Sequence, residues 1–240
     1  MTPGAVVLAG QAALRMGAGR VQIATAREVA IAIGVAFPEA MVMPWTQEPD
    51  TSLQESIATA DAVLVGPGMV GDEVVTVVRT VLETVGPHCV VVLDAAAIMV
   101  FPTLQTAALD RVGQRLVMTP NRQEARALIT DPPPGDADVL ASAAAATDAV
   151  LASFGGVYAP DGRQWRSDVG VVGLGTSGSG DVLAGLVAGA AARCGDPSQA
   201  ACWATFAHLE AALRLESRIG TLGYTATDLV AEVPACLQIN

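Results

Sequence analysis

The sequence predicts an α/β domain of three layers, with a mostly parallel central sheet covered by helices on both faces. Two observations carry this. Short uninterrupted apolar runs, such as HCVVVLDA (88–95) and RLVMTPN (115–121), alternate with helix-like segments. That is the pattern of strands buried on both faces by crossover helices. Turns rich in glycine, proline or carboxylate follow the runs at one predicted edge: GPG after residue 65, Asp94 after 93, TPN after 118, and GLGTSGSGD at 173–181. Ligands of such sheets sit at the carboxyl ends of the strands. The 240 residues are 52% hydrophobic and 15% charged, which suits one domain, 1–240, with a large core. Alanine and valine supply most of the apolar content, so the core is expected to be built from small side chains.

The elements follow in order. AVVLAGQAALRM (5–16) lacks strand alternation, is rich in helix formers and is closed by GAG (17–19), so it reads as a buried helix. RVQIAT (20–25) is a strand, AREVAIAIGVAF (26–37) a helix ended by Pro38, and EAMVM (39–43) a second strand. Residues 44–52 read as loop. LQESIATA (53–60) is a short helix, DAVLVGPG (61–68) a strand running into a turn, and GDEVVTVVRTVLETVG (71–86) a helix. The runs at 88–95 and 115–121 are strands, and QEARALIT (123–130) is a helix. DPPPGD (131–136) is a surface loop, and an alanine-rich helix covers 137–147. AVLASFGGVYAPDGRQWR (149–166) reads as two strands closed by a turn at Pro160-Asp161-Gly162. Two long helices, 180–194 and 197–217, and a last short helix in TATDLVAEVPACL complete the chain.

Charge and composition narrow the function classes. Thirteen basic residues against 24 acidic ones give a net charge of -11. No Lys/Arg cluster stands out, which argues against nucleic acid as a partner. The four cysteines, Cys89, Cys194, Cys202 and Cys236, are scattered without zinc spacing and read as free thiols of a reducing compartment. With two histidines, a His-built metal site is not expected, and no metal ligand is assigned. The start, Met-Thr-Pro-Gly, lacks the basic stretch of a signal peptide. The apolar helices are alanine- and glycine-rich and carry Arg or Gln, unlike membrane spans. The expected location is the cytoplasm.

GTSGSGD followed by a helix is the strongest chemical signal. Glycines let backbone N–H groups converge without a Cβ in the way. A helix N-terminus adds free donors and partial positive charge, a setting for phosphate. Asp181 cannot bind phosphate itself. It can cap the helix, or it can take a proton from a hydroxyl poised against a phosphoryl group; the spacing leaves both readings open. GPGMVGDE (66–73) is a second glycine turn on the same edge. Asp94 reads as a strand-end carboxylate or a helix cap. Asn121 and Glu124 are spaced for a capping box.

In this order, GPGMVGDE, LDAAAI, TPNRQEARAL and GLGTSGSGDVLAGLVAGAAARCGDPSQAACWATFAHLEAA resemble the ADP-dependent NAD(P)H-hydrate dehydratases. TPGAVVLAGQAALRMGAGRVQIAT and LGYTATDLVAEVPACL fit the same family, so the resemblance spans nearly the whole chain. It implies a ribokinase-like fold and repair of hydrated NADH or NADPH, a cofactor carrying water on its nicotinamide ring. ADP, or ATP in eukaryotic relatives, phosphorylates the ring hydroxyl. Loss of phosphate restores the dihydronicotinamide, with AMP as the product from ADP. The resemblance also implies Mg²⁺ and a homo-oligomer, a tetramer. Asp181 would contact the hydrated ring and act as the base. Thr176, Gly178, Ser179 and Gly180 would lie on the nucleotide side, and Ala5, Gly66, Gly68 and Asn121 on the hydrated-cofactor side.

Three departures from the family pattern stand out. The usual Lys-Gly-x-x-Thr segment is Leu151, Ala152, Ser153, Phe154, Gly155; the usual His of the Thr-Pro-His turn is Asn121; and the second Asp of Asp-Ala-Asp is Ala96. Measured against the family, the chain starts after the place of a first strand and glycine loop: either the start is mis-set or trimmed, or the sheet lacks that strand. The lost Lys motivates an alternative, a relative with altered or no catalysis. A kinase of a small alcohol such as a hydroxymethylpyrimidine is another, since such kinases share the Gly-x-Gly-Asp turn.

Overall fold

A computed structural model describes residues 2–46, 49–104, 106–153 and 155–238. Helix α1 (Pro3–Arg15) leads into β1 (Val21–Ala26), α2 (Arg27–Ala36) and β2 (Ala40–Trp45). Next come α3 (Thr51–Ala58), β3 (Ala62–Val65), α4 (Glu73–Thr84), β4 (Val90–Leu93), α5 (Ala96–Val100) and α6 (Thr106–Val112). The central part continues through β5 (Leu116–Met118), α7 (Arg122–Ala127), α8 (Asp136–Thr147), β6 (Val150–Ser153), β7 (Gly156–Tyr158) and β8 (Gln164–Arg166). Helices α9 (Ser179–Cys194), α10 (Pro197–Arg218) and α11 (Ala226–Cys236) close the chain.

The predicted layers are present. One sheet has the order β3-β4-β5-β6-β7-β8, parallel from β3 to β6 and antiparallel from β6 to β8. Strand alternation sends its side chains to opposite faces. Val91, Leu93, Leu116, Met118 and Leu151 point into a core shared with α4 and α8. Val90, Val92, Val117, Val150 and Ala152 point into a core shared with α9, α10 and α11. The apolar face of α4, Val74, Val77, Val78, Val81 and Leu82, is buried at helical spacing. Strands β1 and β2 form a separate two-stranded parallel sheet.

The structure corrects several expectations. The segment 149–166 holds three strands, not two. The first reversal lies beside Gly155 (φ 73°), and the second is the Pro160–Gly162 turn, with Gly162 at φ 89°. Phe154 lies outside the described residues. The expected loop 44–52 is shorter, because β2 runs on through Pro44 to Trp45 and α3 begins at Thr51, capped by Asp50; its residues 47 and 48 lie outside the described residues. Helices α5 and α6 fall in a stretch with no clear periodicity, where short length weakens the signal.

Helix α1 packs directly on α9. A Cβ added at Gly185 would stand 2.7 Å from Ala9 Cα, and one at Gly189 would stand 2.8 Å from Ala13 Cα. The two backbones meet through these glycines, which fixes α1 over the start of α9.

Candidate active site

The carboxyl edge of the sheet gathers the glycine turns. After β3, Gly66 takes φ 127° and Gly68 φ 69°, conformations open to glycine. A Cβ on Gly66 would collide with the Asp94 carbonyl, and one on Gly68 with the Thr2 carbonyl. Thr2 donates its N–H to the Gly68 carbonyl at 2.9 Å. Ala5, buried in the first turns of α1, lies against Gly68. The first helix, the Gly66–Gly68 turn and the end of β4 thus interlock.

Asp94 ends β4 and is 5% exposed. It does not cap α5: Ala95 holds the cap position at φ 47° with no side-chain bond. The Asp94 carboxylate instead accepts from Thr119 Oγ1 at 2.7 Å, joining the ends of β4 and β5. Burial pushes its pKa up to about 7, opposed by the Thr119 hydrogen bond and aided by the negative charges of Asp181 and Glu124. Asp94 thus lies within electrostatic reach of Asp181 in the glycine-rich turn. Asn121 sits in the predicted capping box: its Oδ1 accepts from Gln123 and Glu124 N–H, while Glu124 accepts from Asn121 N–H. Ser153 Oγ, at the end of β6, donates to the Pro120 carbonyl and steadies the same turn.

The turn before α9 is closed by short-range backbone hydrogen bonds. Gly178 adopts φ 86° and packs against Ala226 of α11, and a Cβ there would stand 2.7 Å from Leu8 Cδ1 of α1. Thr176 N–H donates to the Gly173 carbonyl at 3.1 Å, Ser179 N–H to the Thr176 carbonyl at 3.2 Å, and Val182 N–H to the Gly178 carbonyl at 3.0 Å. Between them, the N–H groups of Gly180 and Asp181 have no protein acceptor among the described residues. Gly180 is exposed. Asp181 makes no capping bond, and partial burial raises its pKa. Two free amides at a helix N-terminus beside a half-buried carboxylate can hold an anion and accept a proton. The Ser179 hydroxyl faces inward to His208 at 3.1 Å.

The structure therefore places Ala5, Gly66, Gly68, Asn121, Thr176, Gly178, Ser179, Gly180 and Asp181 along one edge. Asp94, a strand-end carboxylate in the sequence, lies at the same edge, and His208, to which the sequence assigns nothing, backs it through Ser179. Arg163 is held by Asp161 at 2.7 Å over the Trp165 ring, at the far hairpin. Arg166 lines a groove with Gly155, Ser167 and Asp136. Among the described residues no three His, Cys, Asp or Glu side chains form a metal-holding group, and no helix is long and apolar enough to cross a membrane.

The buried Asp94 yields a stability prediction. Its folded pKa of about 7 lies above the ordinary value, so between about pH 4 and 7 the native state keeps a proton that the unfolded chain has released. Stability is lost as pH rises through that window. Asp94→Asn keeps an acceptor for Thr119 and removes the charge, so the variant should gain on the wild type by roughly 3 kcal/mol from pH 4.5 to 7.5. Urea denaturation across this range measures it, and parallel curves would contradict it.

Residues 1–235 match the NAD(P)H-hydrate dehydratase family. The chain is 40% identical, over 98% of its length and 84% of the other's, to the ADP-dependent (S)-NAD(P)H-hydrate dehydratase of Xanthomonas campestris pv. campestris. The ADP/ATP-dependent NAD(P)H-hydrate dehydratase of Bacillus subtilis, crystallised with ATP/Mg²⁺, superposes with TM-score 0.76 at 25% identity, covering 98% of this chain and 84% of that one. Arabidopsis thaliana ribokinase superposes with TM-score 0.63 at 13% identity, covering 100% of this chain and 88% of that one, a likeness of fold alone.

Proposed function

The chain belongs to the NAD(P)H-hydrate dehydratase family, and from that premise we propose that it restores NAD(P)H from its hydrate at the expense of ADP. The observation that carries this reading is the turn at 176–181, where two unpaired amides stand beside the raised carboxyl of Asp181. The ring hydroxyl of the hydrate meets Asp181, which takes its proton as the oxygen attacks the terminal phosphorus of ADP. The bond to the bridging oxygen breaks, and AMP leaves. The Gly180 and Asp181 N–H groups bear on the charge that gathers on the phosphoryl oxygens. Loss of the new phosphate from the ring, together with the ring proton on the neighbouring carbon, gives the dihydronicotinamide. Ala5 and the Gly66–Gly68 turn form the wall on the hydrate side, and Asn121 lies at the next strand end.

The family resemblance brings Mg²⁺ into this reading. The donor set suits an ion that arrives on phosphates, because Mg²⁺ keeps most of its waters and needs only one or two carboxylates. Asp94 and Glu124, whose carboxyls interact with one another, would be the protein groups to hold it, and its contribution would be to neutralise phosphate charge. A cytoplasmic homo-oligomer, a tetramer, belongs to the same reading. The edge-to-face pair Trp203 and Phe206 leaves apolar surface on α10 for a second copy.

The test is to supply hydrated NADH or NADPH with Mg²⁺ and either ADP or ATP, and to follow the return of dihydronicotinamide absorbance. Recovery with release of phosphate is expected. A stable phosphorylated product without recovery would indicate a small-molecule kinase instead, and no turnover by folded protein would defeat the reading.

A further inference from the structure

The glycine-rich turn has an anchor in the hydrophobic layer behind it. His208 lies on α10, is 8% exposed, and places Nε2 3.1 Å from Ser179 Oγ. Ser179 is itself 4% exposed and is the first residue of α9. We infer that His208 is a positioning residue, which through Ser179 holds the first turn of α9 and with it the amides of Gly180 and Asp181.

Gly178 and Gly180 flank Ser179, and a Cβ on Gly180 would meet nothing within 4 Å, so no side-chain packing at position 180 holds the turn. Asp181 makes no capping bond. The Ser179 hydroxyl is the side chain of this turn that is pinned from the protein interior, and its partner comes from a different helix. A hydrogen bond inside an apolar layer is stronger than one in water, and leaving either group unpaired there is costly. Burial drives the His208 pKa down to about 4, opposed by the Ser179 backbone. The ring is therefore neutral at pH 7, and the link is an uncharged one that keeps its form across the working range. Ala204, Ala207, Ala211 and Ala212, its neighbours along α10, are buried and apolar.

The first readout does not depend on the reaction proposed above. Amide hydrogen exchange is followed in the wild type, in His208→Ala, in His208→Gln, whose amide can still reach toward Ser179, and in Ser179→Ala. Exchange of the bonded amides of Ser179 and Val182 should quicken about tenfold in His208→Ala and in Ser179→Ala, no further in the double variant, and less in His208→Gln. The second readout rests on the proposed dehydratase activity. Both single variants should lose about tenfold in kcat/KM for ADP, and the double variant no more than either one, the non-additivity of residues acting as a unit. His208→Gln should recover most of the loss at a melting temperature no higher than that of His208→Ala. Unchanged exchange of these two amides, or losses that simply multiply in the double variant, would overturn the inference. Should the alanine variant fail to fold, Ser179→Ala and His208→Gln carry the same comparison. Failure of the dehydratase assay in the wild type would strike the proposed activity and leave the exchange result standing.

Discussion

Asp181→Asn will lower kcat for hydrate repair by roughly 10²–10⁴-fold, the span of a single general base, while the KM for ADP moves little. The asparagine keeps the shape of the side chain and the amides of α9, so phosphate binding survives and proton removal does not. The same residue shapes the pH profile. Burial raises the Asp181 pKa, and the base works when ionised, so kcat falls as pH drops through a value above that of an ordinary carboxylate. Asp94, at about 7, ionises against the charge that Asp181 already carries. Asp94→Asn should therefore leave the acidic limb of the wild-type profile in place, because Asp94 is still protonated while Asp181 ionises. Steady-state rates from pH 5 to 9 for the three proteins check both points. An Asp181→Asn enzyme as fast as the wild type would remove Asp181 from the chemistry.

The second large effect is on stability. Gly185→Ala and Gly189→Ala place a methyl group against the backbone of α1, at Ala9 and Ala13 respectively. In an isolated helix, either change would stabilise by about 1 kcal/mol. Here the two helices must separate, and overpacking of this kind costs about 1–3 kcal/mol. The clash is with backbone, which cannot rotate away, so the upper end applies and the net loss is roughly 2 kcal/mol at each site. The double variant should lose about 4 kcal/mol, a large share of the 5–15 kcal/mol that holds a typical domain together. Urea denaturation reads this directly, and a midpoint at or above that of the wild type would refute the close approach of α1 and α9. Activity should fall with stability, because α1 carries Ala5 and Leu8 to the Gly68 and Gly178 turns.

Much of the site was legible because its parts are local. The glycines of GTSGSGD, the Gly66–Gly68 turn and the Asn121–Glu124 box each depend on residues a few positions apart, and their chemistry follows from spacing. The apolar runs of β3 to β6 were legible for the same reason: burial on both faces leaves no polar alternation to confuse them. Strands β6 and β7 were not separable, because neither is long enough to show a period. Asp94 could be seen but not understood. At a strand end it looks like a cap, and only the fold brings Thr119, 25 positions away, within hydrogen-bonding distance.

Short-range interactions fix most of the strand, helix and turn order, the glycine-rich turn, and the position of the carboxylate within it. The tertiary structure alone decided which distant groups meet. His208 lies 29 positions from Ser179, and nothing in the stretch around it marks it as different from a histidine buried by chance. Gly185 and Gly189 look like poor choices within a helix until Ala9 and Ala13 are placed against them. Local conformation is set by neighbours along the chain, whereas the environment of a side chain, its dielectric and its partners are set by the packing of elements that the chain has carried far apart.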